Sequence, residues 1–348
     1  MAQPILSVQR ARQAMARFPQ ARVLIVGDLI LDEFIWGKVS RISPEAPVPV
    51  VEVSSESCMP GGAANVAHNV RALGGQVFVA GVVGRDRAGE TLLKELRQRQ
   101  MHVGGVLIDP ERPTTIKTRV IAHHQQVVRV DKETHTPIDR RLGDALLSAV
   151  RAQIPLVDAI IIEDYGKGVV TRRLLQEVVP LARRHRRAIL VDPKEEHLDL
   201  YRGVTAITPN RHEAGQAVGR ALKDDAAVDG AAKELLQRLR CEAVLITLGE
   251  DGMLLLERGG RRTRVPTVAQ EVFDVAGAGD TVIAAFALAL AAQMSMPEAA
   301  LLANYAAGIV VGKVGTAVAM PEELLARVNG TPRRPAAVRR VPRAAVRS

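Results

Sequence analysis

Short apolar runs alternate with longer amphipathic segments along most of this chain. The runs have the length and composition of buried parallel strands. They are 22–28, 76–84, 103–108, 157–162, 188–192 and 242–248. The segments between them that have helical spacing are 61–73, 87–100, 171–185, 211–218 and the stretch beyond Gly277. This alternation predicts an α/β fold, with a doubly wound, mostly parallel sheet flanked by helices.

Two segments depart from the alternation. Residues 34–53 and 114–131 contain β-branched residues separated by polar ones, and a turn is expected near His123 and His124. Both segments are typical of antiparallel strands outside the main sheet, which predicts a small β lid inserted into one domain over residues 1–330. Two surface hairpins without a function are the alternative.

Composition places the chain among ordinary globular proteins. Of its 348 residues, 47% are hydrophobic and 3% aromatic, and the formal net charge is +9. Six arginines lie in 331–348, and removing them lowers the net charge to +3, so this tail is expected to be basic and flexible. Nucleic acid is therefore an improbable main partner. Without an 18-residue apolar run or a leader-like N-terminus, a cytoplasmic protein that does not enter a membrane is expected.

The strongest chemical signal is DVAGAGDT at 274–281, immediately before a long apolar helix. Gly277, Ala278 and Gly279 let the backbone approach a ligand, and N–H groups at a helix N-terminus favour phosphate. Asp280 in the first turn is then placed to accept a proton from a hydroxyl group. An aspartate that only caps the helix is the alternative.

A second group of polar residues suits a polyol. Gly61 and Gly62 allow close packing against backbone, and Asn65 offers both a donor and an acceptor. Asp28 and Asp32, near the end of the first strand, are candidates to accept hydrogen bonds from sugar hydroxyls. The two glycines fit a tight turn equally well.

Phosphate-binding candidates follow three later strands. Asn210 and Glu213 form the pattern of a capping box, and they are also candidates to position Mg²⁺-bound phosphates through water. Thr247 and Gly249 lie in a turn that either contacts a triphosphate or only connects two strands. Lys167 stands between glycines in EDYGKG, as a cation facing phosphate or as an exposed loop lysine. The sequence has no P-loop motif, no dinucleotide-binding motif and no histidine spacing typical of metal sites.

Taken together, GGAAN, TPNRHE, ITLGEDG and DVAGAGDT resemble the motifs of the ribokinase-like (PfkB) sugar kinases, over residues 21 to 328. VGDLILDEFIWGKVSRISPEAPVPV, PGGAANVAHNV, HQQVVRVD, EDYGKG and VDPK resemble the members that phosphorylate O1 of D-glycero-β-D-manno-heptose 7-phosphate. The resemblance implies an ATP- and Mg²⁺-dependent kinase that forms the 1,7-bisphosphate for ADP-heptose and lipopolysaccharide core synthesis. Another ribokinase-like sugar kinase, for ribose, fructose or a sugar phosphate, and a non-catalytic sugar or nucleotide sensor are the alternatives.

The resemblance also assigns roles by position. It implies that Asp280 is the base, with Gly277, Ala278 and Gly279 as the anion hole. The implied nucleotide-binding residues are Asn210, Arg211, His212, Glu213, Thr247, Gly249 and Asn304. The implied sugar-binding residues are Asp32, Gly61, Gly62 and Asn65. It further implies a homodimer paired through the β lid.

Three features need separate expectations. Relatives often have Thr where Ala276 stands, so a K⁺ requirement is open, with Asp274 as a candidate ligand. Many relatives continue into a nucleotidyltransferase domain, and this chain is expected to leave adenylyl transfer to another protein. Candidate cations for the substrate 7-phosphate are Lys117, Arg119, Lys167, Arg129 and Arg41.

Overall fold

A computed structural model describes residues 5–123, 125–268, 272–313 and 317–330. The predicted tail at 331–348, and His124 of the predicted turn, lie outside the described residues. The strands are β1 (Arg22–Gly27), β2 (Leu29–Ile42), β3 (Pro49–Gly62), β4 (Gln76–Gly84), β5 (His102–Asp109), β6 (Thr115–Ala122), β7 (Gln125–Lys132), β8 (Ala159–Glu163), β9 (Ala188–Asp192), β10 (Ala206–Ile207), β11 (Ala243–Thr247), β12 (Met253–Glu257) and β13 (Arg262–Val265). The helices are α1 (Val8–Met15), α2 (Ala63–Ala72), α3 (Arg87–Gln98), α4 (Arg140–Gln153), α5 (Arg172–Arg184), α6 (Arg211–Ala217), α7 (Asp225–Leu239), α8 (Ala278–Ala291), α9 (Met296–Val310) and α10 (Pro321–Val328).

The main sheet is mostly parallel, as the alternation of strands and helices predicts. Across the described ranges its nine strands have the order β13-β12-β11-β10-β9-β8-β1-β4-β5. Only β12 pairs antiparallel to both of its neighbours, and the other pairs are parallel. The carboxyl ends of β1, β8, β9 and β10 therefore meet at one edge, which is where ligands bind in folds of this type.

Helices cover both faces of the sheet, and each face buries its own apolar layer. In β1, Val23 and Ile25 belong to the apolar layer that also contains buried residues of α1, α2, α3, α8, α9 and α10. Leu24 and Val26 belong to the opposite layer, with buried residues of α4, α5, α6 and α7. Helix α8 is buried continuously from Asp280 to Ala289 because α2, α9 and the sheet surround it. A helix that is apolar on all sides is expected in such a central position.

A second sheet is built from the two segments that depart from the alternation. Its order in the described residues is β3-β2-β6-β7. Strands β2 and β3 are antiparallel, as are β6 and β7, but β2 and β6 are parallel. Each segment therefore supplies an antiparallel pair, as predicted, whereas the parallel pairing between the two segments was not predicted. The chain reaches β6 only after crossing α2, β4, α3 and β5, and such a long connection permits parallel pairing.

The helix predicted to begin at Gly61 begins instead at Ala63. Gly61 and Gly62 are the last residues of β3, paired with Ile30 and Leu29 of β2. A Cβ atom at Gly61 would collide with the carboxylate of Asp32, and Gly62 has a φ of +53°. Close packing and a left-handed backbone therefore require these glycines, and neither is part of a helical turn. Within the described residues, no helix is long and apolar enough to cross a membrane.

Candidate active site

Asp280 is buried in the first turn of α8, at the carboxyl edge of the main sheet. Its Oδ2 accepts a hydrogen bond from Asn65 Nδ2 on α2 (2.5 Å), and its Oδ1 accepts one from the Tyr165 hydroxyl (3.1 Å). Burial, opposed by the two hydrogen bonds and reinforced by the charge of Asp32, raises the pKa of Asp280 to about 6. A carboxylate with this pKa is ionised at neutral pH and can accept a proton.

The start of α8 has the backbone shape expected of a phosphate site. Gly277 is its N-cap residue with a φ of +74°, and Gly279 follows in the first turn. The N–H of Ala278 donates to the carbonyl of Val275 (3.2 Å), so the N–H groups of Gly277 and Gly279 are better placed to receive an anion. Thr281 donates its hydroxyl to Asn69 Oδ1 (2.8 Å), which ties this turn to α2.

Two further carboxyl groups lie beside the base. Glu163 is the last residue of β8, and in the strand register it lies opposite Asp192, the last residue of β9. Carboxylate oxygens of Glu163, Asp192 and Asp280 lie within 4.8 Å of one another. Glu163 is fully buried, and its carboxyl oxygens have no partner among the described residues except the Asp192 carboxyl, to which a protonated Glu163 can donate a hydrogen bond. Burial, followed by the nearby acids, raises the pKa of Glu163 well above its usual range.

This acid group fits a divalent cation. Mg²⁺ prefers oxygen ligands and usually retains waters beside one or two carboxylates. The observation that favours a cation is that these three acids lie together and Glu163 has only another acid as its partner, an arrangement that is costly when both groups are ionised. Burial first, and then the nearby charge of Glu213, the predicted metal residue, raise the pKa of Asp192. The Oε2 of Glu213 accepts the N–H of Asn210 (2.8 Å).

On the sugar side, Asp32, Gly61 and Arg119 come together on the second sheet. Asp32 Oδ1 accepts a hydrogen bond from Arg119 Nη1 (2.6 Å), and the Arg119 guanidinium lies 5.4 Å from the centroid of the Phe34 ring. Asn65 lies nearby through its bond to Asp280. The structure thus places the predicted sugar residues beside the predicted base. Asp28 differs from the expectation, because its carboxylate binds protein backbone instead of facing the crevice.

Two of the predicted phosphate cations share one acid. Lys167 Nζ lies 2.9 Å from Glu133 Oε2, and Lys117 Nζ lies 3.7 Å from the same oxygen. Lys117 also pairs with Asp131, which in turn accepts a hydrogen bond from Arg129. Three candidate cations therefore meet where β6 and β7 approach the loop after β8. Arg41 is exposed on β2, away from this group in the pairing order.

On the nucleotide side, the capping box and the turn after β11 are neighbours. Asn210 forms a β-bridge with Thr247 and caps α6 through the N–H groups of His212 and Glu213. Gly249 has a φ of +63° and open space where a side chain would project. The capping box is therefore confirmed, and the role of Asn210 and Glu213 in positioning Mg²⁺-bound phosphates stays a prediction. Arg211 pairs with Asp251.

The remaining candidates lie farther along the chain. Asn304 is buried on α9, where its Nδ2 donates to the carbonyl of Pro266 (2.8 Å). Asp274 Oδ1 accepts the N–H of Ala276 (2.9 Å), which shapes the turn before α8. Their predicted roles, in nucleotide binding and in holding a monovalent cation, stay predictions.

The sequence matches the model of the pfkB family of carbohydrate kinases over residues 20–323. The chain belongs to this family. It is therefore a carbohydrate kinase, a phosphotransferase with an alcohol group as acceptor. The predicted fold class and enzyme class are confirmed.

Curated relatives of the same family are similar along most of the chain. It is 48% identical to the bifunctional protein HldE of Desulfatibacillum aliphaticivorans over 90% of this chain and 64% of that protein. It is 47% identical to HldE of Geobacter metallireducens over 87% of this chain and 62% of that protein. It is 45% identical to HldE of Helicobacter pylori over 89% of this chain and 67% of that protein. The chain thus spans about two thirds of the length of these relatives.

Solved structures share the fold at low sequence identity. Phosphofructokinase-2 from Escherichia coli in complex with potassium superposes with a TM-score of 0.74 at 20% identity, covering 89% of this chain and 99% of that one. Arabidopsis thaliana ribokinase with ribose and ATP gives 0.70 at 18% identity, covering 88% and 98%. At such identities the likeness supports the fold.

Several residues of the site were missed or left without a role in the sequence analysis. Glu163, Tyr165 and Asp192 all stand at or just beyond the ends of predicted parallel strands. That position alone was a usable signal, because ligands bind at the carboxyl ends of such strands. Asn69 had no signal, since its contact with Thr281 joins residues 212 positions apart.

Proposed function

We propose that this kinase transfers the γ-phosphoryl group of ATP to O1 of D-glycero-β-D-manno-heptose 7-phosphate. The product would be the 1,7-bisphosphate used for ADP-heptose and lipopolysaccharide core synthesis. The observation that carries the reaction type is the buried carboxylate of Asp280, held by donors from two other elements at the N-terminus of a helix. The heptose segments of the sequence and the similarity to HldE proteins support the choice of substrate.

In the proposed reaction, the O1 hydroxyl gives its proton to Asp280 as O1 bonds to the γ-phosphorus. The bond between that phosphorus and the bridging oxygen of ADP breaks, and ADP leaves with the electron pair. Asn65 and Tyr165 hold the carboxylate in one orientation, so the contribution of Asp280 is largely positional. Gly277 and Gly279 would direct N–H groups at the transferring phosphoryl oxygens.

The divalent ion would be held by Glu163 and Asp192, with Glu213 close to Asp192. When bound, Mg²⁺ neutralises charge on the phosphate oxygens. This assignment extends the predicted role of Glu213 to two acids at the ends of neighbouring strands. K⁺ beside Asp274 is a further proposal, supported by the E. coli phosphofructokinase-2 complex with potassium.

The substrate phosphate would be held where Lys117 and Lys167 meet. Both ammonium groups lie near Glu133, and an anionic phosphate can replace that carboxylate as their partner. With ribose or fructose bound, the two lysines would keep only Glu133 and Asp131 as anionic partners, and no group of the substrate would use their charge. The two lysines therefore favour a phosphorylated sugar over an unphosphorylated one.

A coupled ADP-release assay across heptose 7-phosphate, fructose 6-phosphate, ribose, fructose and adenosine tests the substrate. We expect the highest kcat/KM with heptose 7-phosphate and little turnover of unphosphorylated sugars. A preference for ribose or fructose would refute the proposed substrate while leaving the kinase assignment intact. A non-catalytic sensor is disfavoured because a sensor has no use for a base in this position, and measurable turnover of any sugar in the panel excludes it.

We also propose a homodimer that pairs through the second sheet. Its strands carry exposed apolar side chains at Val53, Val127, Val128 and Val130, and β7 is exposed along its whole length. Val128 and Val130 lie two residues apart on the edge strand β7 and therefore face the same side of the sheet, and exposed apolar surface of this kind is typical of interfaces. Light scattering coupled to size exclusion should give twice the mass of one chain.

A further inference from the structure

One buried carboxylate holds the whole loop that follows β8. Asp28 comes directly after β1 and is 1% exposed. Its Oδ2 accepts the N–H groups of Tyr165 (2.8 Å) and Lys167 (3.0 Å), and its Oδ1 accepts the N–H of Val169 (3.2 Å). All three donors belong to residues 164–169, the base loop. A single side chain thus satisfies every second amide of this loop from Tyr165 onward.

The base loop carries two groups with separate places in the site. The Tyr165 hydroxyl donates to Asp280 Oδ1 (3.1 Å), and the Lys167 ammonium lies 2.9 Å from Glu133 Oε2. Gly166 and Gly168 have φ values of +66° and +87°, so the loop turns sharply after each of these residues. The directions of Tyr165 and Lys167 therefore depend on how the backbone between them is held.

Nothing in the roles assigned so far explains Asp28. It faces neither the crevice nor a lysine, and burial raises its pKa to about 6 while the three N–H groups oppose that rise. A carboxylate is suited to this place because both of its oxygens can accept hydrogen bonds. An asparagine would turn an NH₂ group toward at least one of the three N–H donors.

We propose that Asp28 is a positioning residue whose carboxylate fixes the base loop, so that Tyr165 supports the base while Lys167 faces the sugar phosphate. The inference rests on the proposed function only for the phosphate that Lys167 faces. Tyr165 acts on Asp280, and Lys167 acts on the substrate. Asp28 acts on both through the backbone, and the two effects can be measured apart.

Kinetics of single variants separate the effect of Tyr165 on the base from the effect of Lys167 on substrate binding. Tyr165→Phe should lower kcat by about 10- to 100-fold with little change in KM for the sugar phosphate, because it removes a hydrogen bond to a charged base. Lys167→Met should raise that KM by about 10-fold or more with a smaller change in kcat, because it removes a charge-assisted contact. Asp28→Asn should change both constants.

The matched control is Asp158→Asn. Asp158 accepts the N–H of Arg22 (2.9 Å) at the opposite end of β1, so it is also an aspartate bound to backbone, but far from the crevice. Hydrogen–deuterium exchange of peptides spanning 164–169 gives a readout that needs no substrate. We expect these amides to be protected in the wild type, Tyr165→Phe and Asp158→Asn, and to exchange faster in Asp28→Asn.

Unchanged exchange in Asp28→Asn, or an equal change in Asp158→Asn, overturns the inference. If Asp28→Asn does not fold, the wild-type exchange and the two single variants decide: unprotected loop amides, or equal effects of both variants on kcat and KM, also overturn it. Kinetics are measured with whichever sugar of the panel is turned over fastest. Failure of heptose 7-phosphate as a substrate therefore leaves the exchange test of the loop intact.

Discussion

Substitution of Glu163 tests whether this acid lowers the stability of the metal-free protein and also helps to bind a divalent cation. Its side chain is fully buried, its oxygens have no partner among the described residues except the Asp192 carboxyl, and carboxylate oxygens of Asp192 and Asp280 lie within 4.8 Å. Glu163→Gln keeps the shape of the side chain and removes its ability to ionise. We expect this variant to be more stable than the wild type without a divalent cation, and less responsive to Mg²⁺.

The size of the stability gain follows from the cost of an unsatisfied buried polar group. That cost is about 1–3 kcal/mol, and more for a charged group. The pKa of Glu163 is raised in the folded protein, so the folded state binds a proton that the unfolded state has released. Stability from this group is thus lost as pH rises above the usual carboxyl range toward the raised pKa. The advantage of Glu163→Gln should be small near pH 5 and largest near about pH 8.

Magnesium should act in the opposite direction. A cation that binds only the folded protein stabilises it by mass action, by about 2.7 kcal/mol at a concentration 100 times Kd. The wild type should gain this increment because the ion relieves the repulsion among the acids. Glu163→Gln should gain less, since one anionic ligand has become a neutral amide.

Thermal unfolding of the wild type and of Glu163→Gln, with chelator and with Mg²⁺ at both pH values, measures the stability difference between the two proteins and the stability that each gains from Mg²⁺. Glu177→Gln is the matched control, because Glu177 is an exposed acid paired with Arg151 and should change neither increment. A variant that is less stable than the wild type near pH 8 without Mg²⁺, or that gains as much from Mg²⁺, would show that the reasoning is wrong. In the same assay buffer, the Mg²⁺ concentration for half-maximal ADP release should rise in Glu163→Gln.

Four further substitutions test separate parts of the chain. Asp280→Asn should lower kcat by about 10²- to 10⁴-fold in the ADP-release assay, while calorimetry should still detect binding of the sugar phosphate; near-normal turnover would exclude Asp280 as the base. Gly249→Ala should cost only about 1 kcal/mol of stability, from its left-handed φ, yet raise the KM for ATP. Gly252→Ala should destabilise the chain much more in the same melting assay, because its Cβ would collide with the carbonyl of Val265; equal losses would contradict this. Val130→Lys should shift the mass measured by light scattering from dimer to monomer, and an unchanged mass would exclude β7 from the interface.

Elements that repeat along the chain could be predicted from the sequence. Each buried parallel strand is apolar on both faces, so AIII before Glu163 and AILV before Asp192 mark their own strands. The first turn of α8 was also predictable, because small residues before Asp280 and a long apolar helix form one local pattern. These features depend on residues near one another in sequence, where periodicity carries the information.

Contacts between distant elements could not be predicted in the same way. The parallel pairing of β2 with β6 depends on which strands become neighbours in the folded sheet. The local patterns of residues 34–53 and 114–131 do not indicate which strand will be the neighbour of which. Asp28 and Asp32 are four residues apart and both near a strand end, so the sequence treats them alike. In the fold, Asp28 accepts a backbone hydrogen bond from a loop residue 137 positions away, whereas Asp32 accepts a hydrogen bond from the side chain of Arg119.

The acids and cations around Asp280 together determine the net charge that an anionic ligand meets in the crevice. ATP and a sugar phosphate are both anionic, yet Asp32, Glu163, Asp192 and Asp280 also carry or can carry negative charge there. The lysines near Glu133 offset only the side that would hold the sugar phosphate. A divalent ion on Glu163 and Asp192 would offset the nucleotide side. Removal of the metal should therefore weaken ATP binding itself as well as slow the chemical step, because the bare acids repel the triphosphate.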